Sequence, residues 1–321
     1  MTAMTYGLGY ENYENKETFQ WKRKAHAGEA VPVQRYALIS SGAENGGKID
    51  FPYLSFPLLE QTGMVDNLFT TRLGGVSEGI YATTNLSFSM QDNPEAVKEN
   101  YRRIAQALDT DVDHMVVSCQ THTTNVRLVT EEDLGKGIVK ERDYRDVDGL
   151  ITDIPGVCLV TFYADCVPLY FVDPVHRAIG LSHSGWRGTV KRMGEKTLSA
   201  MKEAFGTRPE EVLCAIGPSI CQDCYEVSAD VAEEFRTEFA GHENAILKRG
   251  RASEEGQKWQ LNLWEANRLV LTEAGVLPEH LEITDLCTCC NSEYLFSHRA
   301  TQGKRGNLGA FLKLRGKLRD F

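Results

Sequence analysis

The run VCLVTFYADCVPLYFVDPVHRAIGLSHSGWRGT (157–189) decides how the rest of the chain is read. Val157–Tyr163 and Leu169–Val172 are almost wholly apolar, the pattern of strands buried on both faces. Ala178–Ser182 reads as a third strand. The turn between the first two holds Tyr163-Ala-Asp165-Cys166-Val-Pro168. The third gives way to Leu181-Ser-His183-Ser-Gly-Trp186-Arg187-Gly188-Thr189 at the start of a predicted helix. Polar, metal-binding and cationic side chains therefore sit at strand ends, where a layered fold places its chemistry.

Outward from this run, further strands are predicted at Met115–Ser118, Val126–Val129 and Leu213–Ile216. Helices are predicted at Asn93–Leu108, Gly188–Phe205, Ser228–Ala240 and Asn262–Ala274. The first opens on an Asn-Pro cap and repeats Val97, Tyr101, Ile104 and Leu108 on one face. Ser228 is positioned to cap the third, and Gly275 to end the fourth. Helices mixed with strands suggest an α/β or α+β layered fold, with the strand order left open. Residues 49–321 contain no low-complexity linker or repeat and read as one domain. Residues 1–48 read as an N-terminal extension with a short strand near Tyr36–Ile39.

The chain has 321 residues, 42% hydrophobic and 25% charged, with a formal net charge of -10. This is a globular composition, long enough to bury a large core. The acidic balance disfavours a broad nucleic-acid or membrane-surface binder. No stretch approaches the ~20 apolar residues of a membrane span, and the first thirty residues lack a secretory h-region. Nine cysteines, an odd number in a large chain, suit reduced thiols and a cytoplasmic location. Composition leaves the oligomeric state open.

Three features invite over-reading. Gly42–Lys48 approaches a phosphate-binding loop, but Ile49 follows the lysine and Pro52 argues against a helix there. Cys221-Gln-Asp-Cys224 has zinc-ribbon spacing, yet the later cluster Cys287-Thr-Cys289-Cys290 reads as C-x-C-C. Separate buried thiols are therefore the simpler expectation. His280-Leu-Glu282 lacks the Pro-Cys-x-x-Cys of zinc deaminases and reads as a loop pair.

The chemistry concentrates elsewhere. Cys119-Gln-Thr-His122-Thr-Thr-Asn125, the turn around Cys166 and the segment around His183 each bring a metal-binding side chain to a strand end. Two imidazoles and a thiolate would hold a tetrahedral zinc and leave its fourth position open. Singly, each has a mundane alternative: a loop histidine, a buried thiol, a histidine packed beside Trp186. Gly185-Trp186-Arg187-Gly188 permits close backbone approach and adds charge to a helix start, suiting an anionic group. Arg72 before Gly74-Gly75, and the basic run Phe296–Asn307 with Arg299, Lys304 and Arg305, are further candidates for phosphate. Solvated loops are the alternative.

Taken in order, these segments resemble the YfiH/YlmD family, known variously as laccase-like polyphenol oxidoreductases, purine nucleoside phosphorylases and peptidoglycan editing factors. The resemblance runs from about Phe51 to Leu312. It covers FTTRLGGVSEGIYATTNLSFS (69–89), CQTH (119–122), DGLIT (148–152), ADCVPLYFVDP (164–174), SHSGWRGT (182–189), IGPSICQDCYEV (216–227), CTCCN (287–291) and FSHRATQGKRG (296–306). Thr121 and Thr123 depart from the family's usual Gln-Val-His-Gly, and Ala300 stands where a second arginine usually follows Arg299.

The resemblance implies an α+β fold, a single layered domain with mixed β-sheets flanked by helices. It implies a zinc held by His122, Cys166 and His183, with copper as a possible substitute. The implied reactions are phosphorolysis of adenosine, inosine and 5′-methylthioadenosine, and deamination of adenosine. Nucleoside and phosphate would be the partners. The oxidase label implies copper, but no axial methionine completes a blue-copper set here. Arg72, Arg187 and Arg299 are the expected substrate-binding residues, and Asp165 is expected to move a proton or orient a ligand. Two rivals differ in kind: an amidase acting on nucleotide-linked peptidoglycan precursors, for which a metal-free Cys166–His183 pair is one version, and a non-catalytic scaffold.

Overall fold

The computed structural model describes residues 19, 21–24, 34–40, 48–254 and 256–316, with residues 34–40 and 48–50 as backbone. Its first sheet has the order β1 (Gln34–Ser40), β2 (Lys48–Leu54), β3 (Val65–Thr70), β15 (Leu308–Leu314), β7 (Cys158–Tyr163) and β4 (Met115–Val117). The second has the order β14 (Leu281–Ile283), β10 (Leu213–Ile216), β8 (Val167–Asp173), β9 (Ala178–Ser184), β6 (Gly149–Thr152) and β5 (Val126–Leu128). A small third sheet joins β11 (Glu226–Val227), β13 (Gly256–Leu261) and β12 (Leu247–Ser253). Both large sheets are mixed: β4 runs parallel to β7, β5 to β6 and β10 to β14, and the other pairs are antiparallel. This is the α+β, single-domain arrangement expected.

Period-two alternation explains the layers. In β7, Leu159 and Tyr163 enter the core between the sheets, while Cys158 and Val160 face the opposite way. In β8, Tyr170 and Val172 join that central core, and Val167, Leu169 and Phe171 face outward. Neither outer face is left to solvent. Helix α1 (Pro57–Glu60) and the longer α2 (Pro94–Ala107) follow β2 and β3 in the chain, and α2 lays Val97, Tyr101 and Ile104 on the first sheet. The second sheet is covered by α3 (Trp186–Val190), α4 (Met193–Phe205), α5 (Ala229–Glu238), α6 (Glu243–Ile246) and α7 (Leu263–Glu273). Strands packed on both sides must be apolar throughout, which is why 157–172 reads as it does.

Asn93 caps α2 by accepting from the Glu95 N–H, and Asn262 caps α7 by accepting from the Glu265 N–H. Ser228 holds the N-cap position of α5, but its side chain makes no capping bond. The helix expected over Gly188–Phe205 is two helices. Arg192 adopts a left-handed conformation (φ 62°) between α3 and α4, and its guanidinium joins Glu195, Glu238 and Glu273. The apolar periodicity runs through that break, so the sequence pattern did not reveal it.

The expected strand at Tyr36–Ile39 lies within β1, which pairs antiparallel with β2. The division at residue 48 thus runs through a hairpin. Further upstream, Trp21 packs edge-on against Tyr294, and the Lys22 N–H donates to Asn291. Arg23 pairs with Leu286 and forms a buried ion pair with Asp285. The loop-like run 42–47 lies outside the described residues, and Lys48 already begins β2.

Candidate metal centre

Two connections carry the chain from the first sheet to the second. One follows β4 and holds His122; the other follows β7 and holds Cys166. Both leave from the same end, because β4 and β7 are parallel. The register of β8 on β9 sets Pro168 opposite His183 and Val167 opposite Ser184, which brings the end of β9 beside Cys166. His122, Cys166 and His183 converge there, with one donor atom from each within 4.8 Å of the others. His183 is buried, Cys166 half-buried and His122 exposed, so the group opens on one side only.

Gly185 makes the convergence possible. A Cβ at this position would lie 3.0 Å from Cys166 Sγ and 3.0 Å from His122 Cδ2. His122 itself holds a left-handed backbone (φ 65°), uncommon for a residue with a side chain. Asp148 secures it by accepting the N–H groups of Thr121, His122 and Thr123 and the Thr123 hydroxyl. The same carboxylate lies 2.8 Å from His183 Nδ1, which leaves Nε2 as the donor for a metal.

Burial opposes charge at Cys166, His183 and Asp148, yet their mutual interactions prevail. Against that burial, the His183 and His122 imidazoles hold the Cys166 thiol down at about 6. Cys166 and Asp148 push the His183 imidazole up to about 9, and the His183 bond holds Asp148 at about 2. The thiol is thus ionised at neutral pH, the form that binds metals. Sulfur and nitrogen donors at this spacing, an oriented imidazole and an open side fit a tetrahedral ion with one exchangeable position.

The open side faces a cavity of about 720 Å³. Phe88, Phe162, Tyr163, Trp186 and Tyr225 line it, together with Gln120, Arg142, His298, Arg299, Arg305 and Asn307. Such a volume suits a small-molecule ligand. Arg305 is half-buried, and its Nε has no hydrogen-bond partner among the described residues. Arg299 reaches the Glu226 carbonyl and lies over Tyr225.

The other expected residues are placed as follows. Asp165 (φ 91°) precedes Cys166 in the sheet crossing, and both carboxylate oxygens are engaged, by the Thr288 hydroxyl at 2.6 Å and the Arg299 N–H at 2.7 Å. Arg187 is exposed and lies over Trp186, which itself lines the cavity. Arg72 is not brought to the cavity wall. Its guanidinium donates to the carbonyls of Ala82 and Ser292 and lies over Phe296, which pins two loops together.

Sequence reading missed Asp148 as a functional residue, although the carboxylate just ahead of the apolar strand 149–152 was a visible signal. Arg142 carried no signal of its own. The reading of scattered buried thiols needs correction. Cys221, Cys224, Cys287 and Cys290 gather with their sulfurs all within 4.8 Å of one another. The cause is a parallel bridge between Ser219 and Cys287, which aligns two segments distant in sequence.

Residues 66–315 match the family described as "Multi-copper polyphenol oxidoreductase laccase". The purine nucleoside phosphorylase YlmD of Bacillus subtilis is 35% identical over 251 residues, which cover 77% of this chain and 87% of that protein. This chain belongs to that family. An adenosine deaminase from an unknown prokaryotic organism is 33% identical over 233 residues, covering 72% of this chain and 87% of its own. In structure, the family fold is reproduced in YlmD from Geobacillus stearothermophilus, with a TM-score of 0.74 at 32% identity over 87% of this chain and all of that one. The family's share of the chain thus contains every residue of the His122–Cys166–His183 group and its cavity, and begins after β1 and β2.

Proposed function

We propose that this chain is a zinc-dependent purine nucleoside phosphorylase. It acts on adenosine, inosine and 5′-methylthioadenosine, and deaminates adenosine at the same site. The observation that supports this most is the donor group His122, Cys166 and His183 opening into a cavity walled by aromatic rings and arginines. The names of the relatives support the reaction class. His/Cys/His donors suit zinc, and a zinc held there would supply Lewis acidity and readily deprotonated water.

The chain's own residues divide the remaining work. Asp148 holds the His183 tautomer and the backbone of the His122 loop. Trp186 and Tyr225 offer faces on which a purine stacks. Arg305 and Arg299 line the cavity and provide guanidinium donors for phosphate. Asp165, with both oxygens committed to Thr288 and Arg299, fixes the Cys166 turn, a positioning role that fits it better than proton transfer.

Chelation tests the metal requirement. Activity should vanish when the protein is dialysed against a strong chelator and return with added zinc. Activity that survives complete metal removal would instead favour Cys166 as a nucleophile with His183 as its base, as in a thiol amidase. Consistent with nine free cysteines, we place the protein in the cytoplasm. No helix among the described residues is long and apolar enough to cross a membrane.

A further inference from the structure

We propose that Cys221, Cys224, Cys287 and Cys290 form a second metal site, a structural tetrathiolate centre for zinc. It stands apart from the His122–Cys166–His183 group and does not depend on the activity proposed for that group.

The spacing carries the first part of the argument. Cys221 and Cys224 are a C-x-x-C pair, and so are Cys287 and Cys290 once Cys289 is recognised as an intervening residue. Two such pairs are the ligand pattern of structural zinc. The sulfurs lie within 4.8 Å of one another, and Cys224 Sγ and Cys290 Sγ are 3.5 Å apart. Around a zinc with ~2.3 Å bonds, tetrahedral sulfurs sit roughly 3.8 Å from each other. All four are free thiols, so no disulfide competes for them.

The surroundings carry the second part. The N–H groups of Cys221 (3.2 Å) and Cys290 (3.4 Å) both donate to Cys287 Sγ, which is fully buried. Two backbone donors on one buried sulfur suit a thiolate that bears charge. Four thiolates on a dication leave a net negative centre, and Lys24 is placed beside it, bonded to Asp223 within the first knuckle. Assembly releases four protons from the thiols and changes no oxidation state.

The position gives the centre a purpose. The segment of Cys221 also brings Ile220 and Tyr225 to the cavity wall, and the segment of Cys287 brings Thr288 to Asp165. Clamping these segments would fix one wall of the cavity and the turn that presents Cys166, without contacting substrate.

Metal counting on the reduced, full-length protein tests this. After zinc loading and removal of loose metal by gel filtration, the wild type should retain two equivalents. His183→Ala and Cys290→Ala should each retain one, and the double variant none. Cobalt loaded into His183→Ala should show tetrahedral ligand-field bands with intense sulfur-to-cobalt charge transfer, which Cys290→Ala abolishes. In the His183→Ala background zinc should raise the unfolding midpoint, and Cys224→Ala should remove that shift if Cys290→Ala proves too unstable to purify. A wild type that holds one equivalent, lost entirely in His183→Ala, would overturn the proposal. So would a cobalt spectrum in His183→Ala without thiolate bands.

Discussion

Gly185 shows how much of the proposed metal centre rests on a missing side chain. Its φ of -69° and ψ of 177° are open to any residue, so alanine there meets no backbone strain. The objection is steric, since the new Cβ would stand 3.0 Å from both Cys166 Sγ and His122 Cδ2. Gly185→Ala should therefore fold normally but bind zinc at the His/Cys/His group at least tenfold more weakly, as read by chelator competition. Unchanged affinity would mean that the ligands do not converge as described. At this scale the sequence was informative about donors and silent about supports. The proposed donors His122, Cys166 and His183 stood out because each is a metal-binding type at a strand end. Asp148 was harder to see, because Thr121 and Thr123 meet it only through the Cys119–Val147 bridge and the pairing of β5 with β6, and His183 only when β6 pairs with β9. Arg72 was a plausible anion binder by type, and only the loops it pins show its structural use.

The break between α3 and α4 is the clearest event at the scale of elements. Arg192 holds φ 62° and at the same time joins α4, α5 and α7 through Glu195, Glu238 and Glu273. A β-carbon costs roughly 1–2 kcal/mol in the left-handed region, and glycine escapes that cost. Substitution by alanine and by glycine both remove the ion pairs, so their difference isolates the backbone. Arg192→Gly should be more stable than Arg192→Ala by about 1 kcal/mol in urea unfolding, and equal stability would remove the backbone explanation. Amphipathic periodicity found α2, α5 and α7 because each lays one face on a sheet. It fused α3 with α4 because the apolar face persists across the turn, where conformation depends on glutamates from other helices. Strands buried on both faces were legible for the same reason that β7 and β8 are apolar throughout. The half-exposed β12–β13 hairpin was not, since Leu247–Ser253 carries little apolar pattern.

For the whole molecule, a half-buried acid links pH to stability. Glu282 lies in β14, where burial, aided by Glu60 and opposed by the Leu58 N–H, pushes its carboxyl up to about 7. In the unfolded chain the same group titrates near its ordinary 4.5. Below that pH both states hold the proton. Between about 4.5 and 7 only the unfolded chain gives it up, so stability falls as pH rises through that window. Glu282→Gln should remove this loss and be more stable than the wild type at pH 8 by about 2 kcal/mol. Equal stability of the two proteins at pH 5 and at pH 8 would contradict the assignment.

A layered fold, α/β or α+β, was legible from the apolar strands and amphipathic helices, and the family resemblance narrowed it to α+β. Strand order was not, since β15 reaches its place between β3 and β7 from the far end of the chain. We propose that residues 1–48 are an addition to the family domain, joined to it through the β1–β2 hairpin. The central claim concerns what the cavity does, and product analysis addresses it most directly. Zinc-loaded protein is incubated with adenosine, with and without phosphate, beside His183→Ala. The account predicts adenine and ribose 1-phosphate only when phosphate is present, with inosine as a second product, and neither reaction in the variant. Intact adenosine in every sample, with zinc stoichiometrically bound at His122, Cys166 and His183, would contradict it.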